Sequence, residues 1–159
     1  MPDMLVKLYN LPETSELFKK LDQEGYKIKR ALSADLFLIR DYIAKEFNES
    51  WAGEAFKAIC AQPSGCFIAT KGGELVGFAC YDTTAKGFFG PTGVSKAFQG
   101  KGIGKALYLR TLAAMGEAGY AYAIVGSAGP ADFYAKTSGA IPIPDCWPGE
   151  YRNLVRIEQ

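Results

Sequence analysis

The chain has 159 residues, 48% of them hydrophobic and 22% charged, with a formal net charge of +1. That length and balance suit one folded domain and exclude disorder, and near-neutrality excludes a global electrostatic pull toward nucleic acid or an anionic membrane. The chain has no histidine, which excludes Ser-His-Asp and Cys-His catalysis, histidine-ligated metals and a histidine base.

From the N-terminus, "MLVKLYNL" alternates apolar and polar residues as a strand does. Pro12 and Thr14, an N-cap candidate, open a helix whose apolar face is Leu17, Phe18 and Leu21, and Gly25 ends it. "YKIKRAL" reads as a strand. Ser33 is expected to cap a second helix through Phe47, with Leu36, Ile39, Ile43 and Phe47 at helical spacing. "SWAGEAFKAICAQ" is a third, shorter helix stopped by Pro63 and Gly65. "CFIAT" and "LVGFACYD" are strands joined by "KGGE", a hairpin signature.

"GFFGPTGVS" is a further strand, interrupted by Pro91 between Gly90 and Gly93, so it should be bulged or splayed from a neighbour. A glycine-lysine turn then opens a helix that ends near Gly116 or Gly119. "YAYAIVGS" is apolar enough for a strand covered on both faces. "PADFYAKTSG" is a short helix with Pro130 in its first turn, and "AIPIPD" and "YRNLVRIEQ" close the chain as strands. The result is one α/β domain over residues 1–159, without repeats or linkers. No apolar run reaches the roughly 18 residues of a spanning helix, and "MPDMLVKLYN" lacks the apolar core of a signal peptide. A cytoplasmic location without membrane attachment is therefore expected. Cys60, Cys66, Cys80 and Cys146 form no C-x-x-C pair, and no metal site is expected.

The turn "FQGKGIGKAL" is the informative stretch. Amides at a helix start have no internal partner and sit at the positive end of the helix dipole, so they bind anions that can reach them. Gly100, Gly102 and Gly104 clear the approach, and Lys101 and Lys105 add local charge. A phosphate or pyrophosphate is the fitting ligand. A Walker loop needs G-x-x-x-x-G-K-S/T and a dinucleotide turn G-x-G-x-x-G, and neither fits. A nucleotide-phosphate enzyme is disfavoured accordingly.

What the turn does contain is Gln99, Gly102 and Gly104 in a Q-x-x-G-x-G pattern. It resembles the coenzyme A-binding motif of the Gcn5-related N-acetyltransferases (the GNAT family), Q/R-x-x-G-x-G/A between a strand and a helix. "GELVGFACYD", "YAIVGS" and "DFYAKTSGA" follow the same family order, so the resemblance covers roughly residues 65–143. It implies a GNAT-like three-layer fold with a central, mostly antiparallel twisted sheet. In that sheet the fourth and fifth core strands, "GPTGVS" and "YAIVGS", splay apart.

The resemblance further implies acetyl-CoA as acyl donor and direct transfer of its acetyl group to a primary amine of a small molecule or peptide. The pantetheine would lie along Val94, Ser95 and Lys96, and the pyrophosphate on Gln99, Gly100, Lys101, Gly102, Ile103, Gly104 and Lys105. Ser127 is a further cofactor candidate. Lys96 stands where the family usually has proline, and Ser127 where asparagine is common. Tyr134 matches the tyrosine of the family's F-Y-x-K-x-G segment and is the expected proton donor to the departing thiolate. No base is evident: Asp82 and Glu74 are the nearest carboxylates by sequence, and a water chain is the alternative. The amino-terminal helices would form the acceptor wall, with Asp35, Asp41, Glu46, Glu49, Trp51 and Phe56 available. A homodimer stays open, since dimers are common in the family. The competing reading is a non-catalytic acyl-CoA-binding or sensor module of the same fold.

Overall fold

In the computed structural model, which describes residues 1–152, 154 and 155, alternation sets the two faces of the sheet. The strands and helices are β1 (Met4–Lys7), α1 (Ser15–Gln23), β2 (Tyr26–Arg30), α2 (Leu36–Glu46), α3 (Glu49–Cys60), β3 (Cys66–Lys71) and β4 (Glu74–Tyr81). They continue as β5 (Phe88–Val94), α4 (Ile103–Glu117), β6 (Tyr122–Val125), α5 (Ala131–Ser138) and β7 (Ile141–Pro142). Among the described residues the sheet has the order β2-β3-β4-β5-β6-β1-β7, and only β5 and β6 pair in parallel. This is the mixed, mostly antiparallel sheet expected from the resemblance.

Successive β3 residues point to opposite faces. Phe67 and Ala69 join a core built with Leu21 of α1 and Leu107, Leu112 and Met115 of α4. Cys66 and Ile68 join a second core with Ile39 and Ile43 of α2 and Ala55 and Ile59 of α3. Helices therefore cover both faces, giving three layers. The hairpin between β3 and β4 turns at Gly72 and Gly73, both with positive φ, as a two-residue turn requires. None of the described helices is long and apolar enough to cross a membrane.

Helix starts differ from expectation. Thr14 precedes α1 but its side chain caps nothing; Glu13 Oε1 accepts from the main-chain N–H of Thr14 and Ser15 instead. Ser33 begins a short 3-10 turn, and α2 starts only at Leu36 without a side-chain cap. Asn48, in contrast, accepts from Trp51 N at 2.8 Å and opens α3. The final segments are also shorter than expected. β7 covers only Ile141–Pro142, and Tyr151 lies in a 3-10 turn, not a strand. Most of "RNLVRIEQ" lies outside the described residues.

Arg110, which falls in the apolar face of α4, finds a partner on β3: its guanidinium lies 4.6 Å from the centroid of the Phe67 ring. Arg30 approaches the same ring at 4.8 Å. A cation over an aromatic face is attracted by the ring quadrupole, which lets the charge sit at the edge of the core.

Phe47 follows α2 and contacts Tyr42, Trp51 and Phe78, locking the α2–α3 corner onto β4. Its ring also explains Gly93: a Cβ there would stand 2.5 Å from Phe47 Cε1. Gly93→Ala is expected to lower stability by about 1–3 kcal/mol through overpacking. The check is a lower urea midpoint at unchanged m-value.

Candidate functional site

β5 and β6 pair through Phe88 with Ile124 and Phe89 with Val125, and the ladder stops there. β5 runs on to Val94 while the chain after β6 turns away through Gly126 and Ser127. The splay expected from Pro91 and its glycines is thus at the C-terminal ends of both strands. On its other edge β5 stays paired with β4, and Ser95 N donates to Val76 O at 2.9 Å. Main-chain groups alternate in direction along an antiparallel pair. The N–H and C=O of Thr92 and Val94 therefore point away from β4, into the gap. Gln99 reaches back to donate from Nε2 to Val94 O at 3.1 Å, tying the following turn to the strand end.

That turn is built as the sequence implies. Gly100 and Gly102 have φ of +80° and +89°, and Gly102 occupies the N-cap of α4 with no side-chain cap. No described group accepts from the N–H groups of residues 100–105, whereas Ala106 N already bonds Gly102 O. Lys101 and Lys105 are exposed beside them, and Ile103 is 1% exposed with its side chain in the core. Ile103 therefore has only its main chain open at this turn. The result is a cluster of open donors under a helix dipole, a setting for a diphosphate.

At the opposite end of the gap is a cleft of about 490 Å³, lined among others by Trp51, Glu54, Thr84, Tyr134 and Tyr151. Phe89, Gly90, Pro91 and Thr92 from β5, Val125 at the end of β6 and Ser127 after it also line the cleft, which joins it to the splay. Tyr134 reaches it from α5. Its ring is fixed edge-on against Tyr108 at 5.0 Å and Phe133 at 5.1 Å. Ser138 Oγ donates to Tyr134 O at 2.9 Å, leaving Tyr108 Oη as the donor to Ser138 at 2.7 Å. These contacts hold the tyrosine, while its own hydroxyl has no hydrogen bond within the described chain. Burial pushes the Tyr134 phenol up to about 12.

Tyr151 is likewise pushed up to about 12, first by burial and then by the charges of Asp3 and Glu54. Tyr108 is raised too, chiefly by burial. In each case the folded state disfavours the phenolate, so above pH 10 the unfolded chain holds fewer protons. The stability these groups contribute is complete below pH 10 and falls as pH rises through about 12. Urea midpoints are expected to drop between pH 9 and pH 11, and less so in Tyr134→Phe. An equal drop in the two proteins would count against a buried Tyr134.

The other sequence candidates divide. Ser95 spends its N–H on Val76 and its hydroxyl on Tyr42 Oη at 2.6 Å, so it faces α2. With Lys96, Asp41, Glu46 and Glu74 it lines a separate groove. Ser127 lines the cleft with φ of +47°, but its N–H is already bonded to Asp3 Oδ1 at 2.7 Å. Asp82 accepts from Gly87 N and Tyr120 Oη, a turn-building role. Glu49 and Phe56 are exposed, and neither lines the cleft. The Cys80 thiol is pushed well up by burial, which leaves it a poor nucleophile.

Sequence reasoning missed Glu54, Thr84, Tyr151 and Asp3. Thr84 Oγ1 donates to Glu54 Oε1 at 2.6 Å. Asp3 holds Ser127 N and accepts Ile143 N on its carbonyl, and its own N–H meets Cys146 Sγ, so it clips three chain segments beside the cleft. The one available signal was the spacing of Trp51 and Glu54, three apart and hence on one side of a helix.

Comparison with known proteins gives the family and supports the fold. A family model described as the acetyltransferase (GNAT) family matches residues 36–139. Among solved structures, the chain is similar to a fungal multi-domain β-N-acetylglucosaminidase with a GCN5-related glucosamine N-acetyltransferase region, at TM-score 0.73 and 11% identity. That match covers 89% of this chain and 19% of the other. A GCN5-related N-acetyltransferase from Sphaerobacter thermophilus matches at TM-score 0.66 and 17% identity, over 89% of this chain and 48% of that one. An acetyltransferase from Brucella melitensis, in complex with acetyl-CoA, matches at TM-score 0.55 and 22% identity, over 74% and 88%. The chain thus spans a fifth to a half of the first two. No curated protein matches the sequence.

Proposed function

The chain belongs to the GNAT family of acetyltransferases, and from that premise we propose that it transfers the acetyl group of acetyl-CoA directly to a primary amine of a small molecule or peptide. The observation that supports this most is the continuous path from open amides at residues 100–105, along the outward-facing main chain of Val94 and Thr92, to Tyr134 in the cleft.

Acetyl-CoA, when bound, supplies an activated acyl carbon and a thiolate leaving group. The chain's residues do the rest. Amides of residues 100–105, with Lys101 and Lys105, hold the diphosphate. Thr92 and Val94 present main-chain groups to the pantetheine, as a missing strand would receive them. The Val94 N–H stabilises negative charge developing on the carbonyl oxygen. Tyr134, neutral at physiological pH, gives its proton to the thiolate. Ser127 contributes through its hydroxyl, its N–H being engaged.

Two measurements test the reading. Acetyl-CoA at 100 times its dissociation constant is expected to stabilise the protein by about 2.7 kcal/mol, with ATP and NAD giving no shift. Steady thiol release with an amine panel is expected as well. Binding without release under every amine would point to the non-catalytic module.

A further inference from the structure

The acceptor end of the cleft has its own chemistry. On α3, Trp51 and Glu54 sit three residues apart and both line the space. Thr84 donates to one oxygen of the Glu54 carboxylate at 2.6 Å, which orients the group and leaves acceptor capacity over. The two ion pairs among the described residues, Lys27–Asp22 and Arg40–Asp41, do not involve it. A half-buried carboxylate forms its strongest hydrogen bonds with a charged donor, which a cation entering the cleft would supply.

The walls around it are aromatic. Trp51, Tyr134 and Tyr151 line the cleft, with the buried Phe89 behind them, and aromatic walls offer apolar area and attract cations. Among the described lining residues there is no lysine or arginine side chain. A carboxylate or phosphate on the acceptor would therefore meet Glu54 and, among the described lining residues, no cationic side chain, the Met1 ammonium at the rim being the one positive group there.

We propose that Glu54 binds the ammonium of the acceptor and takes its proton, and that the cleft selects compact primary amines on an aromatic or alkyl body without an acidic group. This rests on the acetyltransferase reading for its chemistry, though amine binding is separable from it. Glu54 takes one proton from the ammonium and later passes it to water. The freed nitrogen lone pair forms a C–N bond to the acetyl carbon as the C–S bond opens. Tyr134 gives its proton to the departing thiolate, and the second nitrogen proton restores the phenol. The sum is amine cation plus thioester to amide, thiol and one released proton.

The test uses 2-phenylethylamine, phenylalanine and a phenylalanyl dipeptide amide, compared by calorimetric binding and by kcat/KM. The first is expected to exceed each of the others by at least about 30-fold on both measures, and Glu54→Gln to weaken its binding about 50-fold. Acetyl-CoA affinity should stay within twofold in that variant, because Glu54 is remote from the turn. Thr84→Val, which frees the carboxylate to rotate and removes the hydroxyl that meets Tyr151, is expected to weaken amine binding several-fold and serves if Glu54→Gln fails to fold. Preference for phenylalanine or the peptide, no binding of 2-phenylethylamine, or unchanged amine affinity in both variants each overturns the proposal. Failure of acetyl-CoA to bind the native protein overturns the acetyltransferase reading instead, and the amine calorimetry still decides the role of Glu54.

Discussion

Gly104→Glu is expected to raise the dissociation constant for acetyl-CoA by at least about 1,000-fold, close to 4 kcal/mol, in a protein that still folds. Gly104 lies within the first turn of α4 with an ordinary helical backbone, and a Cβ there would stand 3.6 Å from Val94 Cγ2, a normal contact. The new carboxylate would be favoured by the helix dipole. It would occupy the open amides as a tethered competitor and repel the incoming diphosphate. Folding stability is expected to hold or rise while ligand affinity collapses.

The choice of position matters. At Gly102, φ is +89° and a Cβ would lie 3.1 Å from Leu17 Cδ1, so a side chain there strains the fold as well as the site. Gly104→Ala is the matched control. It should stabilise the helix by up to about 1 kcal/mol and leave affinity within threefold. Calorimetry with acetyl-CoA, alongside thermal unfolding of each variant, reads both effects. A Gly104→Glu protein that binds as the native one does would mean that the diphosphate does not sit on these amides.

The turn could be read from sequence because its determinants are adjacent: glycines for positive φ, a helix start and two lysines, all within six residues. Pro91 and the glycines around it marked the splay for the same reason. Tyr134 came from a motif, and the structure adds what no motif contains, a ring fixed by Tyr108 and Phe133 in the wall of the cleft. Glu54, Thr84, Asp3 and Tyr151 were invisible because they meet only through tertiary packing. Glu54 on α3 and Thr84 after β4 are thirty residues apart in sequence, and Asp3 reaches Ser127 across 124. Arg110 stands in the apolar face of α4, and the Phe67 ring that accommodates it comes from β3, 43 residues away in sequence. Ser95 shows the converse error: next to Val94 in sequence, it faces the other way because a strand alternates. The misplaced helix caps have a simpler cause, since Ser33 and Thr14 are acceptable caps that lost to local alternatives.

Tyr134→Phe is expected to lower the single-turnover rate of acetyl transfer about 300-fold, or about 3.4 kcal/mol, with acetyl-CoA affinity unchanged within twofold. The ring contacts with Phe89, Tyr108 and Phe133 survive the substitution. Since the hydroxyl bonds nothing in the described chain, its loss strands no partner, and stability is expected to hold. A phenol pushed up to about 12 is a weak acid, and this bears on whether it can serve. The thiolate forms in the same enclosed space, where burial raises the thiol as well. The relevant gap is then near the ordinary difference between phenol and thiol, roughly 1.5 units or about 2 kcal/mol. That is small against the cost of expelling a bare thiolate into an apolar cleft, and the proton leaving the acylated nitrogen restores the phenol. The raised value also keeps Tyr134 protonated throughout the range in which amines become neutral, so the rate should not decline on the alkaline side before about pH 10. Single-turnover measurement removes product release as a masking step. A rate within threefold of native, with acetyl-CoA bound normally, would assign the thiolate's proton to solvent and leave Tyr134 as a wall of the cleft.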